Sequence, residues 1–264
     1  MTLRLPIAIR AARAAGKVLQ DKFAGTREIH SKGKRDIVTD ADYAADHTLR
    51  AIIHARFPHD QFISEEDDAT TRKALWARAR TPDELALWIM DPLDGTTNYV
   101  HRLPVFSVSL ALFQANAVQI GVVYDPIREE LFAAERGGGA HLNGKPIRVS
   151  ATRVFDDAVI GVEWARKQKS REHTSSILRR MLARVMTARA FGSAALSLCY
   201  LATGRLDGYL HLSLSPWDVA AAALIVEEAG GRVTTPAGRA WDVHAQAYVA
   251  SNGHLHAQML RFFR

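Results

Sequence analysis

The sequence predicts an α+β fold of packed layers, and three features carry that prediction. Apolar residues recur at helical spacing in some segments. They alternate or run together at strand length in others, and these strands occur both in hairpins and between helices. At 264 residues, 48% of them hydrophobic and 23% charged, the chain can bury a sizeable core, which suits a single domain (1–264) of two packed halves, about 1–150 and 151–264.

Ile7, Ala11, Ala14 and Val18 predict an amphipathic helix over Pro6–Phe23. Ser31–Arg35 reads as a short, basic, exposed loop, and Asp40–Phe57 resumes helical spacing through Ala44, Leu49 and Ile53. Phe62-Ile63 reads as a brief strand that stops at the acidic run Ser64–Asp68. A polar stretch through Thr81-Pro82-Asp83 leads into Leu85–Met90, a near-continuous apolar run of the kind found in strands covered on both faces. Phe106–Phe113 and Val118–Val123 pair as an expected hairpin through Gln114–Ala117. Leu131–Ala134 and Ala140–Leu142 flank the turn formers Gly137-Gly138-Gly139, and Asn143-Gly144 supplies another turn. Further strands are expected at Val159–Trp164, Tyr209–Leu212, Gly231–Thr235 and Ala247–Ala250. Helices are expected at Arg171–Val185, at Gly192–Ala202 closed by Gly204, at Trp217–Ala229 capped by Gly230-Gly231, and at His254–Phe263.

The apolar runs, such as Val219–Val226, fall well short of the ~20 residues that span a bilayer, so no membrane partner is expected. Thr2–Phe23 carries Arg and Lys at helical spacing without a compact apolar core, which argues against a secretory leader. The single cysteine, Cys199, precludes an internal disulfide and sits in the apolar run Ala194–Ala202, where it reads as buried; a cytoplasmic protein is expected. The net charge of +6 fits a nucleic-acid binder, an enzyme that draws in anions, or simply an Arg-rich surface. No Lys/Arg block exceeds two residues, which weighs against dedicated nucleic-acid binding.

The chemistry-bearing segment is Asp91-Pro92-Leu93-Asp94-Gly95-Thr96-Thr97, directly after the buried strand. Two carboxylates three residues apart can meet on one side of a tight turn that Pro92 stiffens and in which Gly95 permits close backbone approach. Mg²⁺ takes oxygen ligands of this kind, and the Leu93 carbonyl could join them. The amides of Gly95 to Thr97 could cradle a phosphate. An ordinary Asp-Pro/Asp-Gly turn with capping aspartates would leave the same trace. Glu65-Glu66, with Asp67 and Asp68 behind, reads equally as a solvated acidic run; Asp42 and Asp218 read equally as acids in the first turn of a helix.

Taken together, these residues resemble the inositol monophosphatase family, part of a lithium-sensitive, metal-dependent phosphatase group. Its two signatures are matched by Trp88-Ile89-Met90-Asp91-Pro92-Leu93-Asp94-Gly95-Thr96-Thr97-Asn98 and by Trp217-Asp218-Val219-Ala220-Ala221-Ala222, running on through Glu228-Ala229-Gly230-Gly231. Phe62–Glu66 and Gly121–Pro126 also match, so the likeness covers essentially the whole chain. The resemblance implies a layered αβαβα sandwich, a homodimer, and hydrolysis of a small phosphate monoester with two or three Mg²⁺ ions. It implies that Glu65, Asp91, the Leu93 carbonyl, Asp94 and Asp218 hold the ions, while Thr96, bonded to Asp42, and Glu65 orient the attacking water. The amides of Gly95 and Thr97 would hold the phosphate, Asp94 would touch substrate hydroxyls, and Gly192-Ser193-Ala194 would line the alcohol side.

Phosphate monoester hydrolysis needs cations to offset the charge of the dianion and to lower the pKa of water. Five acids suit two or three such ions, and no Gly-x-Ser-x-Gly nucleophile motif is present. One position departs from the family pattern. Where the member acting on inositol phosphate has a glutamate, seven residues before Asp218, this chain has His211, which either meets substrate or packs at a strand end. Inositol, fructose, 3′-phosphoadenosine, histidinol and glycerol phosphates all remain open as substrates. A basic nucleic-acid or protein-binding module with a vestigial pocket is the alternative of a different class. His101 lies near the site in sequence, with a structural role equally open.

Overall fold

The computed structural model describes residues 3–25, 28–33, 36–79 and 86–263. Helix α1 (Arg4–Phe23) buries a stripe of Ala8, Ala11, Ala15 and Leu19, with Ile7, Ala14 and Val18 half-buried along its edge. Strands β1 (Ile29–Gly33) and β2 (Asp36–Thr39) form an antiparallel hairpin where a loop was expected over Ser31–Arg35; Lys34 and Arg35 lie outside the described residues. Helix α2 (Asp40–His54) starts at a capping box between Thr39 and Asp42 and stops short of Phe57. Strand β3 (Gln61–Ser64) is followed by α3 (Ala69–Ala79), a helix the sequence did not announce because Leu75 and Trp76 are its only large apolar residues. The Asp68 side chain starts it by accepting from the amides of Thr70 and Thr71. Thr81-Pro82-Asp83 and Leu85 fall outside the described residues.

Strand β4 (Leu87–Asp94) and the short α4 (Thr96–Val100) carry the Asp-Pro-Leu-Asp segment. Strands β5 (Ser107–Gln114), β6 (Ala117–Asp125), β7 (Glu130–Glu135), β8 (Ala140–Leu142) and β9 (Lys145–Pro146) follow as a meander. Then come β10 (Val159–Val162), α5 (Gln168–Met181, earlier than expected), β11 (Thr187–Arg189, not expected) and α6 (Ala194–Ala202). The chain closes through β12 (Gly208–His211), α7 (Pro216–Glu228), β13 (Arg232–Thr234), β14 (Tyr248–Ser251) and α8 (His256–Leu260).

Two sheets result. The seven-stranded sheet runs β3-β4-β5-β6-β7-β8-β9 and is antiparallel except between β3 and β4. The five-stranded sheet runs β11-β10-β12-β14-β13, with β10 parallel to both neighbours. Three apolar cores define the layers. Helices α1 and α2 pack on one face of the larger sheet. Helices α6 and α7 fill the space between its other face and the smaller sheet. Helices α5 and α8 cover the outer face of the smaller sheet. The architecture is an αβαβα sandwich.

Strand β4 shows why its sequence is apolar throughout: Leu87 and Ile89 point into the central core while Trp88 and Met90 point into the α1/α2 core. Helix α7 is likewise apolar on all sides, with every residue from Val219 to Val226 buried, because it lies between two sheets. Gly121 on β6 lets it approach; a β-carbon there would overlap the Ala221 carbonyl and lie 3.1 Å from the Ala221 Cα. No helix among the described residues is long and apolar enough to cross a membrane.

Candidate metal centre and its cavity

In a regular strand, side chains three residues apart point to opposite faces. Asp91 and Asp94 escape this because β4 carries an extra residue. Asp91 pairs with Ser109 and Asp94 with Ser107, so three steps on β4 oppose two on β5. The bulge at Pro92-Leu93 puts both carboxylates on the face turned toward α6 and α7, where Ser109 also donates to the Trp217 carbonyl at 3.1 Å. Leu93 goes the other way, into the α1/α2 core. Gly95 follows with φ +97°, and a β-carbon there would meet the Val105 and Gly192 carbonyls at 3.0 and 3.2 Å.

The other acids arrive from separate elements. Glu65 follows β3, and its amide bonds the Met90 carbonyl at 3.2 Å. Asp218 sits in the first turn of α7, where Oδ2 accepts the Ser215 amide at 2.7 Å. Carboxylate oxygens of Glu65, Asp91 and Asp218 all lie within 4.8 Å of one another. Asp94 shares their cavity but is more heavily bonded. Its Oδ2 accepts from the Ser193 hydroxyl, the Ala195 amide at 2.9 Å and the Ser107 hydroxyl at 3.4 Å; among the described residues its Oδ1 accepts only the Ala194 amide, at 3.2 Å. A carboxylate oxygen has room for a further partner at Oδ1. The carboxylate thus ties β4 to the N-terminus of α6. The cavity, about 590 Å³, is also lined by Leu93, Gly95, Thr96, Thr97, Gly192, Ala194 and His211.

Asp42 lies behind this set. Its Oδ2 takes the Thr39 amide and hydroxyl at 2.8 and 2.7 Å, and its Oδ1 lies 3.4 Å from the Thr96 hydroxyl, which is also 3.0 Å from the Leu93 carbonyl. Asp67 and Asp68 take structural places instead: Asp67 pairs with Arg50, and Asp68 caps α3. His101 ends α4 exposed to solvent and does not line the cavity. Cys199 is fully buried.

Crowding of acids makes their charged forms costly. Burial raises the Asp91 carboxyl well above the usual range, and Glu65, Asp94 and Asp218 add to the effect. Asp218 is raised by burial and then by Glu65. Burial lifts Asp94 to about 6, against the bonds from Ser193, Ala195 and Ala194. Hard, converging oxygen donors whose mutual repulsion a cation would relieve fit a divalent ion.

A family model described as the inositol monophosphatase family matches residues 2–264. The chain belongs to the inositol monophosphatase family. Membership supports a metal-dependent phosphatase activity. Among similar proteins, inositol monophosphatase 3 of Solanum lycopersicum is 40% identical, over 95% of this chain and 92% of its own length. The Nus factor SuhB of Escherichia coli (strain K12) is 39% identical, over 87% of this chain and 84% of its own. The solved structure of the extragenic suppressor protein suhB from Bartonella henselae superposes with a TM-score of 0.91 at 34% identity, covering 100% and 99% of the two chains. The Thermotoga maritima IMPase gives 0.88 at 33%, covering 99% and 97%.

On this family framework the cavity contains residues that sequence reasoning passed over. Glu163, just past β10, uses Oε1 to accept the amides of Phe191 and Gly192 at 2.9 and 3.0 Å and the Ser197 hydroxyl at 3.2 Å. Burial raises it to about 7 against those bonds. Trp164, Arg166, Lys167 and Arg171 line the same cavity, and Arg166 pairs with Glu65 at 3.0 Å. Their one trace in the sequence is a pair of cations directly after an expected strand. His211 is buried on β12; its Nδ1 accepts the Ser213 amide at 3.0 Å, so Nε2 carries the ring proton. Burial, with Arg166 nearby, lowers its pKa to about 4, so the ring is neutral near pH 7.

Proposed function

We propose that this chain hydrolyses a small phosphate monoester by direct attack of water, with two or three Mg²⁺ ions held by Glu65, Asp91, the Leu93 carbonyl, Asp94 and Asp218. The observation that carries this reading is the convergence of the Glu65, Asp91 and Asp218 oxygens in a cavity that Asp94 also enters. Bound there, the ions supply Lewis acidity toward the phosphoryl oxygens and a lowered pKa for water. Asp42, anchored through Oδ2, accepts the Thr96 hydroxyl at Oδ1, so that as the Thr96 oxygen takes a proton from the attacking water its own proton passes to the Asp42 carboxylate. Glu65 helps to orient that water.

The amides of Gly95 and Thr97 hold the phosphate, and Asp94 meets substrate hydroxyls. Gly192, Ser193, Ala194 and His211 form the alcohol side. There the Nε2–H of neutral His211 donates, where a glutamate would accept, which disfavours inositol phosphate as the preferred ester and leaves 3′-phosphoadenosine nucleotides and histidinol phosphate as candidates. In the same reading the protein is a cytoplasmic homodimer inhibited by lithium.

Phosphate release across a panel of sugar, inositol, amino-alcohol and nucleotide monophosphates, with and without Mg²⁺, tests the proposal. Release that requires Mg²⁺ supports it, and no release from any ester sinks it. A second reading, binding of nucleic acid or a protein partner, draws on the net charge of +6 and on the relatives named Nus factor. A salt-dependent gel shift with RNA, in protein that releases no phosphate, would favour it.

A further inference from the structure

The cavity lining combines acids with cations. Glu65, Asp91, Asp94 and Asp218 supply the acids, while Arg166 and Lys167 from the segment between β10 and α5, and Arg171 from the first turn of α5, supply the cations. These cations are built into the fold in different ways. The Arg171 guanidinium lies 5.7 Å from the centre of the Trp164 ring and donates to the Ala165 carbonyl at 3.2 Å. Lys167 precedes α5, and among the described residues its exposed ammonium has no carboxylate partner. Arg166 pairs with Glu65, so an ion bound at Glu65 competes with Arg166 for that carboxylate. Glu163, in the same lining, has Oε1 turned to the Phe191 and Gly192 amides.

Three cations in the lining of a centre meant for divalent ions repel those ions, and the hydroxyls of a neutral alcohol leaving group offer them hydrogen bonds but no opposite charge. An anion lying against them removes both difficulties. Resting on the hydrolytic reading above, we infer that the substrate carries a second anionic group, a carboxylate or another phosphate, and that Arg166, Lys167 and Arg171 receive it while the reacting phosphate meets the metal centre. At about 590 Å³ the cavity has room for an ester that touches both the acids and the cations. Trp164, 41% exposed, gives the connecting carbon skeleton a flat apolar wall.

A matched pair of esters isolates the second charge: glucose 1-phosphate and glucuronic acid 1-phosphate differ only by a carboxylate at the far carbon. Their phosphonate analogues, in which a methylene group replaces the bridging oxygen, report binding without hydrolysis. Calorimetric titration of the Mg²⁺-loaded protein should show the carboxylate-bearing phosphonate binding roughly tenfold tighter, the scale of one charge-assisted contact. That ratio should fall toward one in Lys167→Ala/Arg171→Ala, and in Lys167→Glu, which alters one exposed side chain and therefore serves if the double variant does not fold. Phosphate release from the two natural esters is measured alongside. Equal affinities for both phosphonates in the unaltered protein, or an unchanged ratio in Lys167→Glu, overturn the second-anion site even where phosphate is released. A preserved tenfold ratio with no phosphate released from either ester keeps the anion site and sinks the hydrolytic reading instead.

Discussion

Glu163 offers a test of how the cavity distributes charge. Its single oxygen Oε1 accepts three donors, and the residue is only 7% exposed. Glu163→Gln keeps an acceptor at that oxygen while removing the carboxylate's ability to ionise. The wild-type carboxyl rises from an ordinary 4.5 to about 7, chiefly through burial. A raised carboxyl contributes its full stability below the unfolded value and loses it as pH climbs through the folded value. Between about pH 4.5 and 7 the folded state therefore binds more protons than the unfolded state, and wild-type stability falls. The change from 4.5 to about 7 corresponds to roughly 3 kcal/mol. Urea unfolding of both proteins at pH 5 and pH 8, in chelator, gives the difference directly. The Gln variant should gain about 2–3 kcal/mol on wild type between the two pH values. A difference that stays constant, or that moves in favour of wild type at pH 8, would refute the reasoning.

Three further outcomes are expected. Asp94→Asn and Thr96→Ala should remain folded and lose at least about a hundredfold in phosphate release with Mg²⁺ present, since one removes a centre carboxylate and the other the hydroxyl beside Asp42; full turnover in either would end the proposed roles. Gly95→Ala should lower the unfolding free energy by about 1–3 kcal/mol in thermal melts, because φ is +97° and the Val105 carbonyl stands 3.0 Å from the new methyl; an unchanged Tm contradicts the crowding. His211→Glu should shift the substrate panel toward polyhydroxylated esters, and wild-type activity should show no His211 titration above pH 5, given its pKa of about 4; a variant with the same ranking of substrates as wild type would place His211 outside substrate contact.

Much of the site was legible in the chain because its acids sit next to strong local signals. The apolar run ending at Asp91, the Pro92 and Gly95 turn and the helix start at Asp218 each mark a place where backbone geometry follows from residue type. The layered class was legible for the same reason: periodicities of 2 and 3.6 are local properties. Helix α3 and strand β11 escaped because one has few large apolar residues and the other is three residues long.

By itself the sequence determined the type of most elements, the two signature segments and the family to which they belong. Only the tertiary structure decided which acids share a cavity and what faces them. The bulge that turns Asp91 and Asp94 to one side exists only in register with Ser109 and Ser107. Glu163, Arg166 and Lys167 reach the cavity because the smaller sheet packs across α6 and α7, far from the signatures in sequence. Packing between layers joins residues about a hundred positions apart, such as Asp94 and Ser193, and no local pattern along the chain encodes that proximity.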